Sequence, residues 1–333
     1  MKKINSYIYT LLDKEKLILE RKTLLANENK IVAETIYSAI SPGTEKAAWL
    51  GKPPLRPGKQ YPRLQGYCNL AKVRWVGEEV KNICVDDYIL THQSHRSLVT
   101  VTEQEVLVKF SNLNEDDKIN VCLTYLYHLG YSALIKAEYF PGHNVAIIGC
   151  GALGYTTAAL LNAFGAKPTI FTDRVDTVQK IFSHTPQHIV SKSDLTVKKL
   201  KESFDIIINT SDSWDDYLIG LELLRSGGTC VLLGFPGRGE DLPHFNPLMS
   251  NLMYDKQLSI RYAGYVCESE QNMQDVRFTL KRNMKYLSSL ILDGRLITSA
   301  LNQLILPSDK LSDIYTILSG SNSLSLTGIL KWN

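Results

Sequence analysis

The sequence predicts an α/β protein in two parts: a small β barrel or sandwich, then a doubly wound parallel sheet. Three observations carry this. Short strand-like segments with Pro- and Gly-rich connections run to about residue 110. Apolar strands then alternate with helices from about residue 115. A Gly-x-Gly-x-x-Gly loop, Gly149-Cys150-Gly151-Ala152-Leu153-Gly154, stands at the first of these strand-to-helix turns. At 333 residues the chain exceeds what one hydrophobic core comfortably serves, so two domains are expected.

The first part reads as strands over Ile31–Ala39, Leu70–Val76 and Asp87–Thr91, with a Pro-rich connection over Lys52–Pro62. Such spacing and punctuation mark a barrel or sandwich. Asp116–Ala137 reads as mostly helical. Strands then follow at Asn144–Ile148, Pro168–Thr172, Phe204–Asn209, Gly228–Leu233 and Leu258–Tyr262. Helices over Gly151–Phe164, Val175–Ser183 and Trp214–Arg225 lie between them. Apolar strands alternating with helices imply a parallel sheet buried on both faces. Gln271–Leu292 reads as one long helix, and shorter mixed elements close the chain. The boundaries are placed at 1–121, 122–267 and 268–333.

Composition narrows the partners. The net charge of +3, from 37 basic and 34 acidic residues, implies neither a nucleic-acid nor a membrane-surface partner. The six cysteines, Cys68, Cys84, Cys122, Cys150, Cys230 and Cys267, form no Cys-x-x-Cys pair. Reduced thiols in the cytoplasm fit them better than disulfides. The apolar N-terminal stretch breaks at Asp13-Lys14-Glu15-Lys16, unlike a signal peptide, and no run is long enough for a transmembrane helix.

The glycine loop meets three tests of context. It follows an apolar strand, it opens a helix of small residues, and an acid, Asp173, follows 19 residues after Gly154. Gly149 allows the tight turn, Gly151 admits a pyrophosphate to the backbone, and Gly154 permits close helix–strand packing. Ala152 and Leu153 supply amides at the helix N-terminus, where unpaired N–H groups and the helix dipole attract phosphate. Asp173 would accept the adenosine ribose hydroxyls and repel a 2′-phosphate, which favours NAD. Arg174 follows it and keeps NADP open. Ligands bind beyond the carboxyl ends of parallel strands. Thr210, Ser211, Gly234, Phe235, Gly264 and Tyr265 occupy such ends and complete the expected cofactor contacts.

Through these and further residues, the chain resembles the medium-chain dehydrogenase/reductase superfamily. Within it, the resemblance is nearest to the bacteriochlorophyllide dehydrogenase branch, through Ser38–Gly51, Tyr61–Tyr67, Gly227–Phe235 and Leu330-Lys331-Trp332. The resemblance implies a GroES-like β domain, an inserted Rossmann domain and a C-terminal return to the first domain. It implies a homodimer. It places the catalytic zinc ligands of alcohol dehydrogenases at Ser41-Pro42, at Gly66-Tyr67-Cys68 and near Tyr125. Zinc takes thiolate, imidazole or carboxylate ligands, so no zinc is expected. Cys68, Cys122 and His128 offer a regrouped set that does not match the family in type or order.

The same resemblance puts Thr44 near the family's proton-relay hydroxyl, Tyr67 where a zinc-binding histidine sits, and Glu45 at an organising acid. Tyr67 is then the proton donor or polarising group, assisted by Thr44; packing and turn roles are the alternative for both. His92-x-x-His95 reads as two solvated loop histidines, with a metal-binding pair as the alternative. Arg56, Lys59 and Arg63 read as a solvated basic loop, with attraction of a substrate carboxylate or phosphate as the alternative. Trp49, Tyr61 and Tyr67 either line an apolar pocket or pack in the β domain. The expected function is zinc-independent, NAD(P)-dependent hydride transfer to or from a hydroxyl or carbonyl of a small molecule or natural product. Reduction of activated C=C bonds, including dehydroamino acids, and dinucleotide binding without turnover are the alternatives.

Overall fold

The computed structural model describes residues 2–53, 60–185, 187–264, 278–320 and 323–332. The chain divides into two compact units, residues 1–125 with 267–333, and residues 126–266.

In the first unit the opening strands are long rather than short. β1 (Lys2–Asp13) and β2 (Lys16–Ala26) form an antiparallel hairpin, with β4 (Arg63–Leu64) pairing the far edge of β1. The Asp13–Lys16 break in hydrophobicity is the hairpin turn, with Glu15 at φ 58° and the Lys14 amide donating to Asp13 Oδ1. Hydrophobic residues alternate weakly on β2, which obscures the strand in sequence.

β3 (Ile31–Ala39) pairs with β5 (Cys68–Val76), and β5 continues to β6 (Tyr88–Thr91). β7 (Leu98–Val101) pairs with β3, and β8 (Val106–Phe110) with β6. The inward positions Ile31, Ala33, Ala71, Val73, Ile89, Val99 and Val101 pack into one core. α1 (Pro42–Trp49), which was not expected, follows β3 directly. Its start has a sequence signature: Ser41 at the N-cap, then proline at N1, where a missing N–H costs nothing. α2 (Glu115–Val121) and α3 (Thr124–Lys136) resolve the predicted 116–137 helix into two.

The second unit is the parallel sheet. Its strands are β9 (Val145–Ile148), β10 (Thr169–Phe171), β11 (His188–Val190), β12 (Phe204–Asn209), β13 (Leu224–Leu232) and β14 (Ser259–Tyr262). The intervening helices are α4 (Ala152–Ala163), α5 (Val175–Ile181), α6 (Asp194–Lys199), α7 (Trp214–Leu223) and α8 (Ser250–Lys256). The order across the sheet is β11-β10-β9-β12-β13-β14, every pair parallel. That is the doubly wound order with its switch point between β9 and β12. β11 was missed because three residues between polar flanks give no apolar run. Ile147, Ile148, Ile207 and Ile208 are fully buried, as strands covered on both faces require.

The chain closes in the first unit. The predicted 271–292 helix is α9 (Leu280–Leu292), N-capped by Thr279, whose hydroxyl accepts the Arg282 amide. Residues 271–277 of that prediction lie outside the described residues. β15 (Ile305–Pro307), α10 (Leu311–Ser319) and β16 (Ile329–Lys331) follow, and β16 pairs antiparallel with β3. Tyr9, Ile40, Leu311, Ile314, Tyr315, Leu330 and Trp332 form a second core that joins both ends of the chain. No helix among the described residues is long and apolar enough to cross a membrane.

Ile147 fills the centre of the parallel sheet. Ile147→Ala is expected to cost about 2–5 kcal/mol, from lost transfer energy and a residual cavity. A denaturant titration measures it, as a fall in midpoint at an unchanged slope.

Candidate functional site

The glycine loop of the second unit is built by close approach. Gly149 takes φ 87° as the chain leaves β9. A Cβ on Gly154 would stand 2.3 Å from the Gly149 carbonyl oxygen, so only glycine lets α4 start this close to the strand. Above Gly151 a Cβ would meet nothing within 4 Å. Gly151 offers no side-chain cap, and the first helical bond runs from the Tyr155 amide to the Gly151 carbonyl. The amides of Ala152, Leu153 and Gly154 therefore belong to the open end of α4, free of intrahelical partners. An open cradle under a helix N-terminus fits a pyrophosphate.

The neighbouring strand ends support this loop. The Thr210 hydroxyl donates to the Ile148 and Gly149 carbonyls at 3.0 and 3.2 Å. A Cβ on Gly234 would fall 2.3 Å from the Ser211 carbonyl oxygen, so β12 and β13 end in close apposition. The Phe235 amide donates to Asp212, and the Arg238 guanidinium lies 3.9 Å over the Phe235 ring. Gly264 is exposed beyond β14. Tyr265 lies outside the described residues. Cys150 is buried inside the loop; burial pushes its thiol up to about 12, while the charge of Arg174 pulls it down.

Asp173 stands two residues beyond β10, with 72% of its side chain exposed. Its carboxylate meets the Lys192 ammonium at 2.5 Å. Arg174 N-caps α5, its amide donating to the Thr172 hydroxyl. Lys192 was not foreseen, because the strand that delivers it, β11, was not read.

In the first unit the structure brings Ser41, Thr44, Tyr67 and Tyr125 together. The Tyr67 hydroxyl has hydrogen-bonding partners in the Ser41 and Thr44 side chains, and burial pushes its phenol well above the ordinary value. The rings of Tyr67 and Tyr125 meet edge to face at 5.3 Å, and His92 meets Tyr125 at 4.5 Å. His92 Nδ1 also lies 3.1 Å from the Tyr67 carbonyl. The three positions matched to zinc ligands thus cluster, but as a serine and two tyrosines. A hydroxyl and two phenols, one of them held in its protonated form, do not fit a zinc ion. Among the described residues, no three His, Cys, Asp or Glu side chains group as metal ligands. Cys68, Cys122 and His128 therefore form no regrouped set. Cys68 is buried, and burial first, then Glu45, raises its thiol.

Beneath this hydroxyl cluster lies a buried network. Glu45 is 1% exposed. Its Oε1 accepts the Ser41 amide at 2.7 Å, and its Oε2 accepts the Tyr315 hydroxyl at 2.8 Å. His95, fully buried, places Nε2 2.9 Å from the same oxygen and Nδ1 2.8 Å from Ser38 Oγ. Trp332 Nε1–H donates to Ser38 Oγ at 2.9 Å. One assignment of protons satisfies every member. Trp332 donates to Ser38, Ser38 donates to His95 Nδ1, and His95 Nε2–H donates to Glu45.

This corrects the reading of His92 and His95 as solvated. The His95 ring presses on the chain at Gly66, where a Cβ would stand 2.5 Å from it and φ is 86°. The His95 amide also donates to the Gln65 carbonyl, and Gln65 Nε2 to the Glu45 carbonyl. Glu45 thus fixes the backbone at Ser41, and His95 fixes the backbone leading into Tyr67. Glycine four residues after a proline-rich loop, with histidine downstream, was the available signal; only packing could connect them. Of the aromatic trio, Trp49 packs on Tyr315 at 5.6 Å and Tyr61 donates to the Ala48 carbonyl, both structural roles. Arg56 and Lys59 lie outside the described residues, and Arg63 is half-buried on β4 rather than solvated.

The whole fold matches solved dehydrogenase structures. L-idonate 5-dehydrogenase from Escherichia coli superposes with a TM-score of 0.80 at 13% identity, over 99% of both chains. In sequence, the chain is 34% identical to an NADP-dependent alcohol dehydrogenase of Mycolicibacterium smegmatis over 121 residues, 36% of this chain and 34% of that protein. It is 30% identical to 8-hydroxygeraniol dehydrogenase of Catharanthus roseus over 112 residues, 33% and 31% of the two chains. The matched segments thus span about a third of these curated relatives. No family model matches the chain. The architecture is that of the alcohol dehydrogenases: a GroES-like β domain with a Rossmann domain. In sequence, the chain is similar to enzymes of that type.

Two predictions follow from the buried network. Glu45→Ala strands the Ser41 amide, His95 and Tyr315 in the core and is expected to cost about 3–5 kcal/mol, read as a fall in thermal midpoint. The second concerns alkaline pH. Burial raises the folded-state values of Tyr67, Tyr315, Cys68 and Cys122. Stability from a raised acid is complete below its unfolded value and lost as pH climbs toward the folded one. The thermal midpoint should hold at neutral pH and fall above about pH 9, where unfolded cysteine and then tyrosine ionise.

Proposed function

We propose that the protein is a zinc-independent, NAD(P)-dependent oxidoreductase acting on a hydroxyl or carbonyl of a small molecule. The observation that carries this reading is the open cradle above Gly151 at the N-terminus of α4, followed by Asp173 at the end of the next strand. The dehydrogenase names of its sequence relatives support the hydroxyl or carbonyl class. The donor set at Ser41, Tyr67 and Tyr125 supports the absence of zinc.

Gly149–Gly154 would hold the pyrophosphate and Asp173 the adenosine ribose, and the bound nicotinamide would give or take hydride. Tyr67 then does what a metal would otherwise do. Its phenol keeps its proton at neutral pH, so it can donate a hydrogen bond to an oxygen that gains charge. Ser41 and Thr44, bonded to the same hydroxyl, offer the path along which that proton is replaced.

Tyr67→Phe keeps the ring contact with Tyr125 and removes only the donor. It is expected to lower kcat by roughly 10²–10⁴-fold while cofactor affinity stays unchanged. Oxidation of NADH and NADPH against carbonyl and enone panels measures the effect and separates the two chemistries. Turnover on enones alone would move the reading to C=C reduction. Unchanged turnover in Tyr67→Phe, or one stoichiometric zinc in the active protein, would sink the assignment.

A further inference from the structure

The parallel register of β10 and β11 pairs Phe171 with Val190. Two residues beyond each stand Asp173 and Lys192, an acid and a base delivered to the same level at the carboxyl edge of the sheet. Lys192 is not a free surface lysine. Only 13% of its side chain is exposed, and Asp216, 7% exposed in the first turn of α7, takes its ammonium through both oxygens at 2.7 and 3.0 Å. Burial pulls the ammonium down, yet Asp173 and Asp216 outweigh that and hold it above its ordinary value. The Lys192–Asp216 pair is therefore a fixed element, and Asp173 is the exposed group that attaches to it.

This changes what Asp173 does at the ribose end. A lone carboxylate repels a 2′-phosphate. Here Asp173 is not alone, because the Lys192 ammonium lies 2.5 Å from it. The buried lysine, held by Asp216, sets its ammonium against the more exposed carboxylate, Asp173, and Arg174 adds a cation on the next residue. An ionised Asp173 with one oxygen on Lys192 still has lone pairs for ribose hydroxyls. We propose that Lys192 determines cofactor range: by setting a cation against Asp173, it lets a site built around an acid accept the 2′-phosphate of NADP as well as the ribose of NAD. The inference rests on the proposed dinucleotide-dependent function.

The test is direct binding by the purified full chain, titrated with NADPH and NADH and followed by nucleotide fluorescence. Wild type should bind both. Lys192→Met should weaken NADPH by about tenfold or more with a much smaller change for NADH, since one unit charge beside a phosphate is worth that much. Lys192→Arg should preserve NADPH binding. The double variant Lys192→Met/Asp216→Asn, which leaves no buried charge unpaired, should show the same discrimination should the single variant fold poorly. Equal effects on both nucleotides would overturn the inference while leaving the proposed function standing. Failure of wild type to bind either nucleotide would overturn both.

Discussion

A carboxylate without water is the constraint around which the first unit is arranged. Glu45 cannot be buried unless its oxygens are answered by donors, because desolvation of a charge costs several kcal/mol. The answers come from three places in the chain, the Ser41 amide, His95 and Tyr315, and His95 is held in turn through Ser38 and Trp332. Each donor must arrive in a fixed position. The carboxylate therefore holds the start of α1, the turn around Gly66 and the C-terminal strand in mutual register. The hydroxyls of Ser41, Thr44 and Tyr67 inherit their positions from that register.

The two units solve different problems with the same resource, oriented backbone. In the second, glycine removes side chains so that helix and strand can approach and leave an open helix end. In the first, proline at N1 and a carboxylate one turn on organise the helix start, so the Ser41 hydroxyl makes no capping bond and is left for Tyr67. A serine at an N-cap usually spends its oxygen on the helix. Here Glu45 satisfies the Ser41 amide and the serine side chain faces the phenol.

Much of this was legible in the residues. The glycine loop, Asp173 and the alternation of apolar strands with helices depend on local pattern, so β9, β12 and the start of α4 were readable almost to the residue. β1 and β2 were harder to read, because one side of the hairpin is largely solvated and its hydrophobic alternation is diluted. β11 was too short to announce itself, and Lys192 was lost with it. His95 was misread for a different reason. Nothing local distinguishes a solvated histidine from one whose partners, Ser38 and Glu45, are more than 45 positions away. Tyr315 and Trp332 are invisible as site residues for the same reason, since only the pairing of β16 with β3 brings them there.

The span of those bonds also constrains the order in which the chain can become native. Glu45 and Tyr315 are 270 positions apart, and Ser38 and Trp332 are 294. The Leu126–Val266 unit is continuous in sequence and owes nothing to the termini for its own sheet. A chain emerging from synthesis can therefore complete the Rossmann unit while Glu45 still lacks the Tyr315 hydroxyl. Closing a loop of that length costs little more entropy than closing one half as long, but it has to wait for its last strand. The glycine loop can thus be in place before the chain is complete, whereas the hydroxyl cluster is set only when the end of the chain returns.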